Sequence, residues 1–359
     1  MLLASQMTSI TSVSGGRDND DIAVPRGDHQ QMALLIVNPN PVFDRTITVH
    51  ELVLGAVMRT LDVELTAGGK GINVARVLRT LGQAAPLLVA VGAEDAARYQ
   101  RLRAAEGADP IVVEVPGSVR IASIYREHGS GRITVVNDAG DTMSHDAWDT
   151  VQAAIVSHIG AADVVLCMGS FPPGVSPEAV RDLVSAIRAT GAQVLVDTAP
   201  HWLAGALAGS PDVVTPNLHE AEAVLHTGSI DIMDDQGASL AETRDRALAA
   251  AQALCTRGAR RAIVTAGAAG VAVSDMGGSR WHDAFRVDPV STVGAGDSFV
   301  AGLAIEWMRG GQSTDWDEAV RFGIATSAAS CEQVRAGGVD PERVFAIHEA
   351  LLAGEGVRA

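Results

Sequence analysis

Apolar residues along this chain alternate between two patterns. Short, mostly apolar runs occur at Ala33–Val37, Leu87–Val91, Val164–Cys167, Gln193–Val196, Val213–Thr215 and Ala262–Thr265. Runs of this length fit strands buried on both faces. Between several of them lie Ala-rich stretches with helical apolar spacing, such as Pro177–Thr190 and Leu240–Arg257. Buried strands separated by helices predict an α/β fold, a doubly wound and mostly parallel sheet flanked by helices. Two segments break the rhythm. Thr46–Leu65 and Ile111–Val136 are rich in Val, Ile, Thr and Arg, and read as extra antiparallel strands. The stretch from His226 to Leu240, with Gly228, Ser229 and a run of acids, reads as a surface loop before a helix.

Two glycine clusters each run straight into a helical pattern. Near the C-terminal end, Ser291-Thr-Val-Gly-Ala-Gly-Asp-Ser298 leads into Phe299, Val300, Leu303, Ile305 and Trp307. A Gly294-Ala295-Gly296 turn opening a helix leaves backbone N–H groups without partners. With the helix dipole, equivalent to roughly half a positive charge, they form an anion site. Asp297 in the first turn would stand beside a bound phosphate as a base, although an aspartate at a helix start is also an ordinary cap. Far upstream, Ala67-Gly-Gly-Lys-Gly-Ile-Asn-Val-Ala-Arg76 opens a helix whose Val74, Val77, Leu78 and Leu81 share one face, with Gly82 as its stop. Gly68 and Gly69 would let a ligand touch backbone. The Asn73 amide donates and accepts, which suits a sugar hydroxyl. The cluster is neither a Walker A loop, since Lys70 is followed by Gly71, nor a dinucleotide fingerprint.

Composition narrows the function. A formal charge of −16 argues against general nucleic-acid binding and requires that any phosphate site be locally basic. The three cysteines (Cys167, Cys255, Cys331) lack metal spacing and read as reduced thiols in a cytoplasmic protein. No run reaches the apolar length of a membrane span. Residues 1–31 are expected to be a disordered extension ahead of a domain at 32–359.

Together the two clusters resemble the signatures of the phosphofructokinase-B family of ribokinase-like sugar kinases, most closely its 1-phosphofructokinase and tagatose-6-phosphate kinase branch. Four further segments, in the same order, are similar to that family: Asn40-Pro-Val-Phe-Asp44, Gly169-Ser-Phe-Pro-Pro-Gly-Val-Ser-Pro-Glu178, Thr215-Pro-Asn-Leu-His-Glu220 and Thr265-Ala-Gly-Ala-Ala-Gly270. The resemblance implies an ATP- and Mg2+-dependent kinase acting on a ketohexose monophosphate, with fructose 1-phosphate to fructose 1,6-bisphosphate as the first reading. Tagatose 6-phosphate and fructose 6-phosphate are the alternatives within the class, and a non-catalytic sugar-phosphate sensor the alternative outside it. It also implies that segments 46–65 and 111–136 form a β lid over the sugar and a homodimer contact.

By the same resemblance Asp297 is the base, and the amides of Gly294, Ala295 and Gly296 face the transferring phosphoryl. Asp44, Gly68, Gly69, Asn73 and Arg120 bind the sugar phosphate, with Arg59 and Lys70 as further candidates for its phosphate. Asn217, Thr265, Gly267 and Gly270 line the nucleotide pocket, and Glu220 acts on Mg2+ through water. Three positions depart from the family pattern. Val119, Ala122 and Met168 stand where it has hydrogen-bonding side chains, which leaves the acceptor open.

Overall fold

The computed structural model describes residues 33–160, 163–225 and 238–354. The expected extension at 1–31 and most of the loop read at 226–240 lie outside them. In chain order the elements are β1 (Leu34–Asn38), β2 (Val42–Val49), β3 (Asp62–Gly68), α1 (Lys70–Thr80), β4 (Leu87–Gly92), α2 (Ala96–Ala105), β5 (Ile111–Val115), β6 (Arg120–Glu127), β7 (Ile133–Asn137) and α3 (His145–Ser157). There follow β8 (Val164–Met168), α4 (Pro177–Ala189), β9 (Gln193–Asp197), α5 (Pro200–Ala208), β10 (Val213–Val214), α6 (Leu218–Leu225), α7 (Leu240–Thr256) and β11 (Arg261–Thr265). The chain closes with β12 (Gly270–Asp275), β13 (Gly278–Asp283), α8 (Ala295–Gly310), α9 (Trp316–Cys331) and α10 (Pro341–Leu352).

The large sheet has the order β13-β12-β11-β10-β9-β8-β1-β4-β5. From β11 to β5 every neighbouring pair is parallel, while β12 and β13 add an antiparallel edge. Alternate residues of the buried strands serve two cores. Leu34, Ile36, Val89 and Leu166 pack with α1, α8, α9 and α10, whereas Leu35, Val37, Leu88 and Val165 pack with helices on the other face. That division is the doubly wound arrangement expected from the continuous apolar runs.

Local chemistry sets the helix ends. Ser176 caps α4 by accepting from the Ala179 N–H, Pro177 occupies its first turn, and Val180, Leu183, Val184 and Ile187 form its buried stripe. Gly82 ends α1 at φ 76°, and the Gln83 N–H returns to the Leu78 carbonyl at 2.8 Å, as in a Schellman stop.

The extra β segments differ from their reading in extent and pairing. A four-stranded sheet, β3-β2-β6-β7, takes in Val42–Val49 and Asp62–Gly68, with irregular chain at 50–61 between them. Its central pair, β2 with β6, is parallel. Ile111–Val115 does not join this sheet. It follows α2 as a right-length crossover and pairs in parallel with β4, extending the large sheet. The boundary is the Pro116-Gly117 corner, where Gly117 sits at φ 99°. Among the described residues no helix is long and apolar enough to cross a membrane.

Candidate active site

The carboxyl ends of β1, β8, β9, β10 and β11 open on one side of the large sheet, at the place where strand order reverses around β1. Ligand sites of doubly wound sheets form there. Asn38 ends β1, and its Oδ1 accepts from the Gly71 N–H at 2.8 Å, which ties the strand end to the start of α1. Gly69 precedes α1 at φ 125°, and a Cβ there would lie 2.8 Å from Asn38 Oδ1. A Cβ on Gly68 would come within 1.9 Å of Asp44 Oδ2, so the Asp44 carboxyl lies directly over bare backbone. Burial pushes Asp44 up to about 6, against the pull of Arg76, Arg120 and Arg335.

The second glycine cluster faces the first. Gly294 caps α8 in the left-handed region, at φ 82°. The Ala295 N–H closes the turn onto the Thr292 carbonyl at 3.2 Å, and the Ser298 N–H bonds the Gly294 carbonyl at 2.9 Å. The amides of Gly294, Gly296 and Asp297 have no hydrogen-bond acceptor among the described residues. This corrects the expected set, in which Ala295 donated to the ligand. An added Cβ on Gly296 would meet nothing within 4 Å. The turn depends on Gly294, where a Cβ would stand 3.1 Å from that of Ala336. Helix α8 is held by close approach to α9. Gly302 faces Thr326 and the Phe322 carbonyl, and Gly323 faces the Phe299 ring.

Asp297 is only 6% exposed and accepts from Asn73 Nδ2 at 2.8 Å. Burial drives its carboxyl up to about 7, with Lys70 opposing and Asp197 reinforcing the shift. Asn73 Oδ1 in turn accepts from Arg76 Nη1 at 2.9 Å.

Lys70 points toward the end of β9 and the start of α6. Its Nζ lies 2.5 Å from Asp197 Oδ1 and 3.7 Å from Glu220 Oε1, which sets it beside the expected metal carboxylate. Burial works against the ammonium, but Asp197, Glu220 and Asp297 hold it above its ordinary range. Glu220 is raised by burial, with Lys70 opposing and Asp197 adding to it. Asn217 and Glu220 form a reciprocal capping box. The Glu220 N–H donates to Asn217 Oδ1 at 2.9 Å, and the Asn217 N–H to Glu220 Oε2 at 3.0 Å.

Thr265 stands next to this box, bridged to Asn217, with its N–H on the Pro216 carbonyl at 3.1 Å. Gly267 is open, at φ 55°. A Cβ on Gly270 would strike the His282 carbonyl at 2.3 Å and the Trp281 ring, so its bare Cα allows close packing against β13.

Arg120, at the start of β6, donates to the Asn40 carbonyl at 3.1 Å and the Asp138 carbonyl at 3.3 Å. Burial makes its charge costly, and Asp44 and Asp138 offset this. Arg59 lies on exposed chain and hydrogen-bonds none of these residues. Val119 and Met168 are buried in the apolar core. Ala122 pairs with Asp44 on one side and Asn137 on the other, so the three side chains share one row on one face of the small sheet.

Residues 38–343 match the family described as pfkB family carbohydrate kinase. The chain belongs to the pfkB family of carbohydrate kinases. It is therefore a phosphotransferase with a hydroxyl acceptor. A 1-phosphofructokinase of Rhodobacter capsulatus is 32% identical over 319 residues, covering 88% of this chain and 96% of that one. A 1-phosphofructokinase of Escherichia coli strain K12 is 30% identical over 308 residues, covering 86% and 94%. These relatives place the chain among sugar-phosphate kinases of the pfkB family. The fold matches phosphofructokinase-2 of Escherichia coli, solved in complex with potassium, at a TM-score of 0.79 and 24% identity over 89% of this chain and 99% of that one.

Four residues that bond to these side chains or to one another were not singled out from the sequence: Asn38, Asp197, Arg76 and Glu106. Asn38 and Asp197 carried one usable signal, a polar residue ending an otherwise apolar strand run. Arg76 and Glu106 look like ordinary surface charges until the fold brings them together.

Proposed function

We propose that this chain transfers the γ-phosphoryl of ATP to a hydroxyl of a ketohexose monophosphate, with fructose 1-phosphate as the acceptor. The observation that carries the reading is the 2.8 Å hydrogen bond between Asn73 and Asp297, which joins the two glycine clusters in one cleft with Asp44 beside it. A sugar lying on the bare backbone of Gly68 and Gly69 meets the Asp44 carboxyl and the second N–H of the Asn73 amide. Arg120, lodged at the end of this wall, supplies a guanidinium fork for the sugar's own phosphate.

Asp297 takes the proton of the attacking hydroxyl at the oxygen that Asn73 leaves free. A proton affinity near neutrality suits that task, and such assistance is worth roughly 10²–10⁴-fold. The amides of Gly296 and Asp297 and the Lys70 ammonium face the phosphoryl in transit. Losing one such donor costs roughly 10²–10³-fold in comparable sites. Thr265 and Gly267 border the nucleotide.

Magnesium fits the donor set at the Lys70 end. Glu220 offers a carboxylate, and among the described residues no three His, Cys, Asp or Glu groups form a cage of their own. An ion that keeps most of its waters and is carried largely by phosphates takes few protein carboxylates directly. When bound it neutralises phosphate charge, with Glu220 acting through water.

Ala122 removes a polar group from the sugar wall, and Asn137 in the same row offers an amide in its place. The small sheet exposes Val63, Ile133, Val135 and Val136, and the adjoining 50–61 chain exposes Leu54 and Val57. Val63 and Val136 lie on the sheet face opposite Ile133 and Val135, and apolar side chains exposed on both faces favour pairing with a second copy, which is the basis for a homodimer through the lid. A coupled ADP-release assay across fructose 1-phosphate, tagatose 6-phosphate, fructose 6-phosphate and fructose tests the reading. Turnover with fructose 1-phosphate well above the others supports it, and binding without turnover favours a sensor.

A further inference from the structure

Glu106 follows α2 and lies outside the glycine clusters, yet three guanidinium groups converge on it. Arg76 grips it with two prongs, Nε to Oε2 at 3.0 Å and Nη2 to Oε1 at 2.8 Å. Arg103 Nη1 reaches it at 2.6 Å and Arg335 Nη2 at 2.5 Å. We propose that Glu106 is a positioning residue for the base: by holding Arg76 it decides which end of the Asn73 amide meets Asp297. The inference rests on the reading of Asp297 as the proton acceptor.

An amide side chain is nearly symmetric in shape, so either end fits the same slot. Its orientation is fixed by a neighbour with only one kind of hydrogen-bond chemistry. Arg76 has N–H donors and no acceptor. With its Nη1 2.9 Å from the amide, the oxygen end must face Arg76, and the nitrogen end faces Asp297. Reversed, the amide would set oxygen against carboxylate oxygen, and only a protonated carboxyl bridges such a pair. A protonated carboxyl cannot accept the proton of a hydroxyl.

Arg76 needs external support to do this. It is 6% exposed, and apart from Asn73 its partners are the Ala67 carbonyl at 2.6 Å and Glu106. A buried guanidinium that loses its carboxylate is strongly destabilised and re-seats itself toward other acceptors or water. Burial works against charge on Glu106, but Arg76, Arg103 and Arg335 hold its carboxyl below the ordinary range. Arg335 adds a third wall. It belongs to the loop after α9, whose Gly337 packs against the backbone of Asn73, where a Cβ would come within 2.9 Å of the Asn73 Cα. One carboxylate thus ties α1, α2 and this loop around a single amide.

The test is Glu106→Gln, which keeps the shape and removes the charge. Turnover with the best acceptor is expected to fall roughly 10- to 100-fold, while KM for ATP stays within about twofold. Glu106→Asp, which keeps the charge on a shorter stem, is expected to recover much of the loss. A second readout needs no acceptor: the Asn73 side-chain amide resonances of ¹⁵N-labelled protein, assigned by their loss in Asn73→Asp. In Glu106→Gln they are expected to move toward those of a free amide. Should Glu106→Gln not fold, both measurements are made on Glu106→Asp, where smaller changes of the same sign are expected. Unchanged turnover overturns the proposal, and so does lost turnover with unmoved Asn73 resonances. If the unsubstituted protein turns over no sugar phosphate, the functional reading fails by itself, and unmoved Asn73 resonances then overturn this inference separately.

Discussion

The Asn73 amide donates to the Asp297 carboxylate at 2.8 Å although 224 positions separate them in the chain. The contact exists because α1 and α8 both start at the same opening of the large sheet and pack on the same face of it. Each helix begins with glycines, so backbone is bare on both sides of the contact. The proposed chemistry follows from that juxtaposition of one buried carboxylate, unpartnered amides and a sugar-sized polar wall.

The raised carboxyls give a signed pH dependence. Asp297 is held near 7 and Asp44 near 6 by burial. Below those values each is neutral, and Asp297 cannot take a proton. kcat/KM is expected to rise with pH through an apparent midpoint near 7, measured in a coupled assay at acceptor concentrations below KM from pH 5 to 9. A midpoint near the ordinary carboxylate range contradicts it.

The same shifts act on stability. A carboxyl whose folded value exceeds its unfolded one stabilises the fold below the unfolded value, and that contribution is lost as pH rises through the folded value. Between about pH 4 and pH 7 the free protein therefore loses stability through Asp297, in line with the linkage relation. Melting curves of Asp297→Asn and the unsubstituted protein are expected to diverge in favour of the variant as pH increases. A constant difference across that range speaks against a buried, raised carboxyl.

Two neighbouring glycines are predicted to behave differently. Gly294→Ala forces a side chain into the left-handed region and against Ala336, and is expected to lower stability by about 1–2 kcal/mol or more. Gly296→Ala meets open space, so its melting temperature is expected to stay put while turnover drops as the Cβ crowds the phosphoryl. Equal melting of the two variants contradicts the assignment of the turn.

Arg120→Ala is expected to raise KM for the phosphorylated acceptor roughly 10- to 100-fold, the range for a charged hydrogen-bonding group. The slow reaction of an unphosphorylated sugar should be unaffected. An equal effect on both acceptors assigns Arg120 to structure instead.

Sedimentation velocity tests the lid surface. A dimer at micromolar concentration is expected, and Val135→Glu, which charges an exposed apolar position of β7, is expected to shift it toward monomer. A monomer from the outset removes the dimer reading.

The fold class was legible because buried parallel strands announce themselves as continuous apolar runs. The two glycine clusters, Asp297, Asn73 and Asp44 were legible because their signals are local: glycine, a polar residue, then a helical stripe. Arg76 and Glu106 were not, since nothing short of the packing of α1 against the end of α2 distinguishes them from solvated charges. The contacts of Lys70 were hidden for a related reason. Its partner Asp197 ends β9, and only the strand order puts β9 within reach. Ile111–Val115 went to the wrong sheet because an edge strand of a parallel sheet and a lid strand share the same β-branched composition.

The central claim is that Asp297 deprotonates the acceptor. It is tested most directly by turnover of Asp297→Asn with fructose 1-phosphate, alongside calorimetric affinities for ATP and for the sugar phosphate. The account predicts turnover lower by at least ~10²-fold with both affinities little changed. Turnover close to that of the unsubstituted protein contradicts it.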